Sequence, residues 1–501
     1  MNNRVVINRL LTGVPGLDNL LGGGVPEFSF NIIAGEPGSG KTTLAHQLMF
    51  ALAQPDCRAL YFTVLGEPAL KMLRYQQQFS FFDGTKINAS LRFVNLSADL
   101  AVGNFERVLA RIVEEVKKYS PGLVFVDSFR SVVQAVGGDA AEGSMQLQNF
   151  VQQLAMQMTS WQATTFLIGE YLLAESDSSP IFTVADGILW LSQSARSDAM
   201  VRKIRMVKIR GQAQVPGWHT FRISADGIQI FPRAILGPVT TGGEASVASV
   251  EGIRLTMGNP ELDNMLGGGL PAGYSLLVVG PSGSGKTILA TAFLAEGVRL
   301  GQPGVIAAFE KSPSQLLSGK LNALVKGGKV GVIDTRSLGL SIDEILSDMI
   351  EMIQRLQAKR VVIDSLSGFE LALAPEFSEG FRSSLYRMIS VLTGMGVTIL
   401  MTSELEDRYT DLRFSPFGNA FLADAIVMQR YIEIAGELKR IIAVVKVRAS
   451  AHSTALRLFH ITERGIVIAE PLSQYEGILS DRPISRVKMV QSAPGVSREE
   501  E

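Results

Sequence analysis

Two lysines, Lys41 and Lys286, each close a glycine-rich run and precede a hydroxyl. The runs are Gly35-Glu36-Pro37-Gly38-Ser39-Gly40-Lys41-Thr42-Thr43 and Gly280-Pro281-Ser282-Gly283-Ser284-Gly285-Lys286-Thr287-Ile288. In the spacing G-x-x-x-x-G-K-[ST], glycines let consecutive backbone N–H groups close around phosphates. The ammonium then reaches the β and γ oxygens, and the hydroxyl ligates Mg²⁺. Lys286 follows Lys41 by 245 positions, and the flanks match at the same offset. ATP and Mg²⁺ are therefore the expected cofactors, each bound twice.

A Mg²⁺ ion held by Thr42 or Thr287 needs a carboxylate nearby. Leu123-Val-Phe-Val-Asp127 and Arg360-Val-Val-Ile-Asp364 are continuous apolar runs ending in an aspartate. Such runs read as strands covered on both faces, with Asp127 and Asp364 at their exits. Hydrolysis also needs a group that orients or deprotonates the attacking water, a role worth about 10²–10⁴ in rate. In the second half Glu310 ends the apolar run Val305-Ile-Ala-Ala-Phe. Its counterpart at the 245 offset is Leu65, which activates nothing. Glu67 stands two positions later and reads equally as an N-cap before a helix starting at Pro68.

Each half also carries a Lys-x-Arg pair on a strand, Lys208 with Arg210 and Lys446 with Arg448. Side-chain period two puts both cations of a pair on one face, spaced to hold a terminal phosphate. Both pairs lie far in sequence from their own glycine loops, which suits supply to a neighbouring subunit. A nucleic-acid motor would carry basic loops toward its centre. Instead, residues 170–180 contain no base, and residues 404–413 carry four acids against two arginines. Electrostatic capture of a phosphate backbone requires the opposite balance.

The elements that position these residues follow from the wider pattern. The chain has 501 residues, 46% hydrophobic and 19% charged, with 47 basic against 48 acidic side chains and a formal charge of −1. This is a globular composition with no global field for nucleic acid or an anionic membrane. Short apolar runs alternate with amphipathic stretches, such as 28–34, 42–52 and 59–65. That alternation predicts an α/β fold of two tandem domains, each a mainly parallel sheet flanked by helices, with ligands at the carboxyl ends of the strands.

Residues 1–240 form the first predicted domain, 241–250 a flexible linker, 251–475 the second domain and 476–501 a mobile tail. Cys57 reads as a small hydrophobe, and the four histidines lack metal-ligand spacing. With neither a signal-peptide core nor a membrane-length apolar run in view, a soluble cytoplasmic protein is expected.

Taken together, these features resemble the KaiC family, the double-domain members of the RecA-like ATPases, over about residues 8 to 470. The resemblance rests on Leu17-Asp18-Asn-Leu-Leu-Gly-Gly-Gly and Leu262-Asp263-Asn-Met-Leu-Gly-Gly-Gly before the two loops. It rests further on Asp127-Ser128 and Asp364-Ser365, the Lys-x-Arg pairs, and Gln429-Arg-Tyr-Ile-Glu-Ile-Ala-Gly-Glu437.

It implies stacked, usually hexameric rings of identical chains with ATP between subunits, Lys208, Arg210, Lys446 and Arg448 acting in trans, and a protein signalling partner. Two departures qualify it. The family's paired glutamates fall on Leu65-Gly66 and Glu310-Lys311, and its phosphorylated Ser-Thr pair falls on Ala420-Phe421. Thr410 or Ser415 would have to substitute in a serine/threonine autokinase. The leading expectation is an ATPase of signalling or regulation that hydrolyses mainly in its second half. Autokinase and DNA-dependent repair ATPase are the alternatives.

Overall fold

A computed structural model describes residues 7–63, 69–100, 105–128, 140–173, 181–196, 199–234, 252–309, 319–333, 335, 341–373, 377, 380–405, 422–434, 436–463, 465–473, 475–476 and 484–485. The chain divides into two compact units, Met1–Ile235 and Leu236–Glu501.

The first unit is built on a nine-stranded sheet. Its strands are β1 (Phe30–Gly35), β2 (Ala59–Thr63), β3 (Leu91–Asn95), β4 (Leu123–Asp127), β5 (Thr164–Glu170), β6 (Gly187–Arg196), β7 (Ala199–Ile209), β8 (His219–Ser224) and β9 (Gly227–Phe231). Their spatial order is β9-β8-β7-β6-β1-β5-β4-β2-β3. The six strands from β3 to β6 run parallel, and β7 to β9 continue antiparallel.

Helices α1 (Lys41–Leu52), α2 (Phe105–Tyr119) and α3 (Ala140–Ser160) cover the two faces. The strand period of two sorts the core between them. Ile33, Tyr61, Phe125 and Ile168 pack with Leu44, Leu48 and Met49 of α1. Ile32, Phe62, Val124 and Leu167 pack with Ile112 of α2 and Val151 and Leu154 of α3. Because both faces are covered, β2 and β4 read as apolar runs up to their last residues, and β1 is buried throughout with Asn31 as its one polar side chain. Each fully buried side chain of this kind contributes roughly 1.5–3 kcal/mol.

The second unit repeats this topology with β10 (Ser275–Gly280), β11 (Gly304–Ala308), β12 (Val330–Ile333), β13 (Arg360–Asp364), β14 (Thr398–Glu404), β15 (Ala425–Ile434), β16 (Glu437–Val447), β17 (Arg457–Thr462) and β18 (Gly465–Pro471). The order β12-β11-β13-β14-β10-β15-β16-β17-β18 is the same pattern with equivalent strands. Helix α4 (Lys286–Arg299) matches α1, while α5 (Ile342–Leu356) and α6 (Phe381–Gly394) match α2 and α3.

One local difference from the sequence expectation concerns the tail. Tyr475–Glu476 pairs antiparallel with Ile484–Ser485, so part of the tail expected to be mobile forms a short ladder. A run of two residues has no period to read. The expected linker at 241–250 lies outside the described residues.

Candidate nucleotide sites

Both glycine loops leave the carboxyl ends of the central strands, β1 and β10, and turn directly into α1 and α4. The turn is made by Gly40 at φ 102° and Gly285 at φ 105°, a left-handed conformation open to glycine. Neither helix has a side-chain cap or an acidic residue in its first turn. By contrast, α5 begins with the Ser341 hydroxyl accepting from the Glu344 N–H, and Asp343 and Glu344 lie in its first turn. Helices α1 and α4 thus keep their positive ends clear for an anion.

The lysines fold back onto their own loops. Lys41 Nζ donates to the Glu36 carbonyl at 2.7 Å, and Lys286 Nζ donates to the Gly280 and Pro281 carbonyls at 2.8 and 2.9 Å. Burial lowers the Lys41 pKa, opposed by the negative charges of Glu170, Asp127 and Glu36. Neighbouring strands brace the loops: Gln193 Nε2 donates to the Pro37 carbonyl at 2.8 Å, and the Ser284 hydroxyl meets Gln429 Oε1 at 3.1 Å. Ser39 is fully buried, whereas Gly38, Ser282, Gly283 and Ile288 face solvent, as a loop that receives a ligand must.

In the first unit the two residues that the sequence offers as a metal-holding pair, Thr42 and Asp127, lie within hydrogen-bonding distance. Thr42 Oγ1 donates to Asp127 Oδ2 at 2.9 Å, although 85 positions separate the two residues. Tyr61 Oη donates to the same oxygen at 2.7 Å. Burial raises the Asp127 pKa, while the bonds from Tyr61 and Thr42 and the charge of Lys41 pull it back down. A hydroxyl and a carboxylate beside a phosphate cradle are the hard oxygen donors that Mg²⁺ prefers.

In the second unit Asp364 is equally buried, and its Oδ1 accepts from Thr402 Oγ1 at 2.5 Å. Thr287 follows Lys286 at the start of α4. Both aspartates are followed by cis peptides, Asp127–Ser128 and Asp364–Ser365.

The Lys-x-Arg pairs do not face their own loops. Arg210 NH1 lies 3.0 Å from Asp186 Oδ1, and the other Asp186 oxygen accepts from the Phe30 N–H at the start of β1. Arg448 NH1 likewise lies 3.0 Å from Asp424 Oδ1, whose Oδ2 accepts from the Ser275 N–H at the start of β10. Lys208 Nζ donates to the Phe182 and Thr183 carbonyls, and Lys446 Nζ to the Ala423 carbonyl. All four cations therefore stand at the amino ends of strands whose carboxyl ends carry the loops. At about 3.3 Å per residue that is roughly 15–20 Å away, too far for one cation to serve the phosphate bound in its own unit.

Several anticipated positions lie outside the described residues: Glu310 with Lys311, Leu65 to Glu67, Thr410, Ser415, Ala420 and Phe421. Conversely, the folded chain brings up residues that no motif announced. Glu170 pairs with Gly35 and Glu404 with Gly280, so each glycine loop has a strand-end carboxylate beside its first residue. Tyr61 and Thr402 reach the strand-end aspartates only through strand order, as Asp186 and Asp424 reach the Lys-x-Arg pairs at the opposite end. The one available signal was the apolar runs themselves, each holding a hydroxyl where an aliphatic residue would do.

No helix among the described residues is long and apolar enough to cross a membrane. A family model described as "ATPase: KaiC" matches residues 10–235 and again 255–473. The chain is 27% identical over 497 residues to "Circadian clock protein KaiC3" of Synechocystis, covering 95% of each chain. It is 27% identical to "Circadian clock oscillator protein KaiC" of Picosynechococcus, covering 95% of this chain and 92% of the relative. A Prochlorococcus marinus protein of that same description is 26% identical, with 98% of each covered.

Proposed function

This chain belongs to the KaiC family of ATPases, and from that premise we propose that it binds Mg-ATP in both units but hydrolyses it mainly in the second. Its role is regulatory or signalling, in the manner of the relatives named for the circadian clock. The working form is a ring of identical chains, a hexamer by resemblance, in the cytoplasm, with a protein partner receiving its signal. The observation that carries this reading is an asymmetry. Both units hold a glycine loop, its lysine and threonine, and a buried strand-end aspartate, yet only the second has a glutamate, Glu310, where the first has Leu65.

In each site the loop N–H groups and the α1 or α4 amino end would bind the phosphates. Lys41 or Lys286 would leave its loop carbonyls for the β and γ oxygens. Thr42 with Asp127, and Thr287 with Asp364, would hold Mg²⁺, which when bound neutralises charge on the phosphate oxygens. Glu310 would orient the attacking water and accept its proton. Lys446 and Arg448 of an adjacent copy would stabilise the charge that develops in the second site, and Lys208 with Arg210 would brace the first.

ATPase rates and native masses of Lys41→Ala and Lys286→Ala test the division of labour. Lys286→Ala should lose most turnover while remaining assembled, and Lys41→Ala should lose assembly. A Lys41→Ala protein that stays assembled and loses most turnover reverses the assignment.

Autophosphorylation is not favoured, because Ala420 and Phe421 have no hydroxyl to accept a phosphoryl group.

A further inference from the structure

The two units orient their buried aspartates by different means. In the first, β2 lies beside β4 with Thr63 opposite Asp127, so Tyr61 comes up from two residues earlier on β2. In the second, Ala308 stands opposite Asp364, so the residue equivalent to Tyr61 is Ile306, which has no donor. There the hydroxyl comes from the other side, from Thr402 on β14, next to the pairing of Ile363 with Met401. The equivalent position on β5 is Ile168, opposite Asp127. Each unit thus has one strand hydroxyl on its aspartate, drawn from opposite flanks.

We propose that Tyr61 is a positioning residue for the metal side of the first nucleotide site, holding Asp127 in the orientation that receives Mg²⁺. Both the Tyr61 and Thr42 hydroxyls fall on Oδ2, at 2.7 and 2.9 Å, and among the described residues no hydrogen bond is made to Oδ1. The carboxylate is thereby turned with one oxygen committed to the protein and the other left for the metal shell. Tyr61 itself cannot swing. It is fully buried, and its ring stacks on His46 at 4.7 Å and on Phe125 at 5.9 Å.

Phe125 in turn stacks on Phe166 at 4.9 Å. The ladder runs across the β face under α1, the helix that carries Thr42. An aromatic scaffold of fixed geometry therefore sets both hydroxyls against one carboxylate. The second unit has Val362 and Leu400 at the Phe125 and Phe166 positions and, among its described residues, no such ladder. This inference rests on the reading of Asp127 as the metal arm of a nucleotide-holding site. It adds that the first site is preassembled for tight Mg-nucleotide binding by a residue its sister lacks.

Outer partners of metal-binding carboxylates typically change metal affinity by about 10–100-fold when removed. The experiment uses the full-length chain carrying Lys286→Ala, so that nucleotide binding reports the first site. Affinity for a fluorescent ATP analogue is measured with excess Mg²⁺ and with EDTA, before and after Tyr61→Phe. Phenylalanine keeps the stacking, so the metal-free affinity should stay constant while the Mg²⁺ required for half-maximal enhancement rises roughly tenfold or more.

An equal loss with and without Mg²⁺ would mean that Tyr61 merely packs the site, and no change in either would mean that Asp127 needs no orienting; each overturns the proposal. If the parent chain shows nucleotide binding without any Mg²⁺ enhancement, the metal-arm reading itself fails and takes the proposal with it. That outcome is seen before Tyr61 is touched. Tyr61→Leu, which removes both ring and hydroxyl, should add a loss of metal-free affinity that Tyr61→Phe does not produce.

Discussion

Arg448 is paired with Asp424 at the amino end of β10, at the opposite end of that strand from Lys286. The Arg448 side chain is still 59% exposed, so its pairing holds it in place without burying it. Arg210 and Asp186 repeat the arrangement in the first unit. A cation held this way cannot reach the phosphate in its own unit but is presented to whatever packs against that edge.

If the edge faces an adjacent copy, Arg448→Ala should lower turnover by about 10³–10⁵ with ATP binding in the same chain preserved. Mixing then separates the geometries. Arg448→Ala chains keep an intact Lys286, and Lys286→Ala chains keep an intact Arg448. Mixed and reassembled, the two inactive variants should recover part of the wild-type rate. Persistent inactivity in verified mixed oligomers would place the finger in cis and contradict the reading.

The glutamate asymmetry makes a second, sharper statement. Glu310→Gln should reduce turnover by about 10²–10⁴ and leave nucleotide affinity near its original value, because a water-orienting base contributes to the chemical step. Glu67→Gln should change the rate by less than about twofold. Single-turnover hydrolysis of bound ATP reads both. A large effect of Glu67→Gln would mean that the first site has recovered a base from a shifted position and hydrolyses after all.

The three-glycine segments ahead of the loops resemble phosphate-binding runs but serve the fold. Gly22, Gly23 and Gly24 have φ of 79°, 119° and 114°, and a Cβ at Gly24 would fall 2.4 Å from the Leu10 carbonyl oxygen. The Asp18 carboxylate accepts from the Thr12 N–H at 2.9 Å, as Asp263 does from Met257 at 2.7 Å. Gly24→Ala should therefore destabilise the first unit by about 1–3 kcal/mol. ATP affinity of the folded fraction should be unchanged. Thermal melting together with nucleotide titration distinguishes this from a ligand role, which would lower affinity at constant stability.

What the sequence disclosed, and what it hid, follows from range. The glycine loops, their helices and the strands ending in Asp127 and Asp364 are local patterns, legible because phosphate chemistry and two-faced burial fix residue types at short spacing. Tyr61 and Thr402 stood out only as hydroxyls within apolar runs, and their partners were hidden because each reaches its aspartate through the order β2-β4 or β13-β14, which no local pattern encodes. The Lys-x-Arg pairs were legible as cations. Their attachment to Asp186 and Asp424, 24 positions away in each case, depends on where β6 and β15 begin beside the central strands.

The last prediction concerns pH. His46 lies on α1 with no exposed surface, stacked on Tyr61, and burial holds its pKa down at about 3. In the unfolded chain the same imidazole titrates near 6.5. Between these values the unfolded state binds a proton that the folded state refuses, so stability falls as pH drops below about 6.5 and is insensitive to this group above it. From pH 7.5 to 5.5 the loss attributable to His46 is on the order of 1 kcal/mol. His46→Leu removes the titrating group and keeps an apolar side chain beneath α1. Its melting temperature should therefore fall less than that of the parent chain over the same interval. Equal falls in both proteins would show that His46 is protonated without penalty, and that its burial in the folded chain is incomplete.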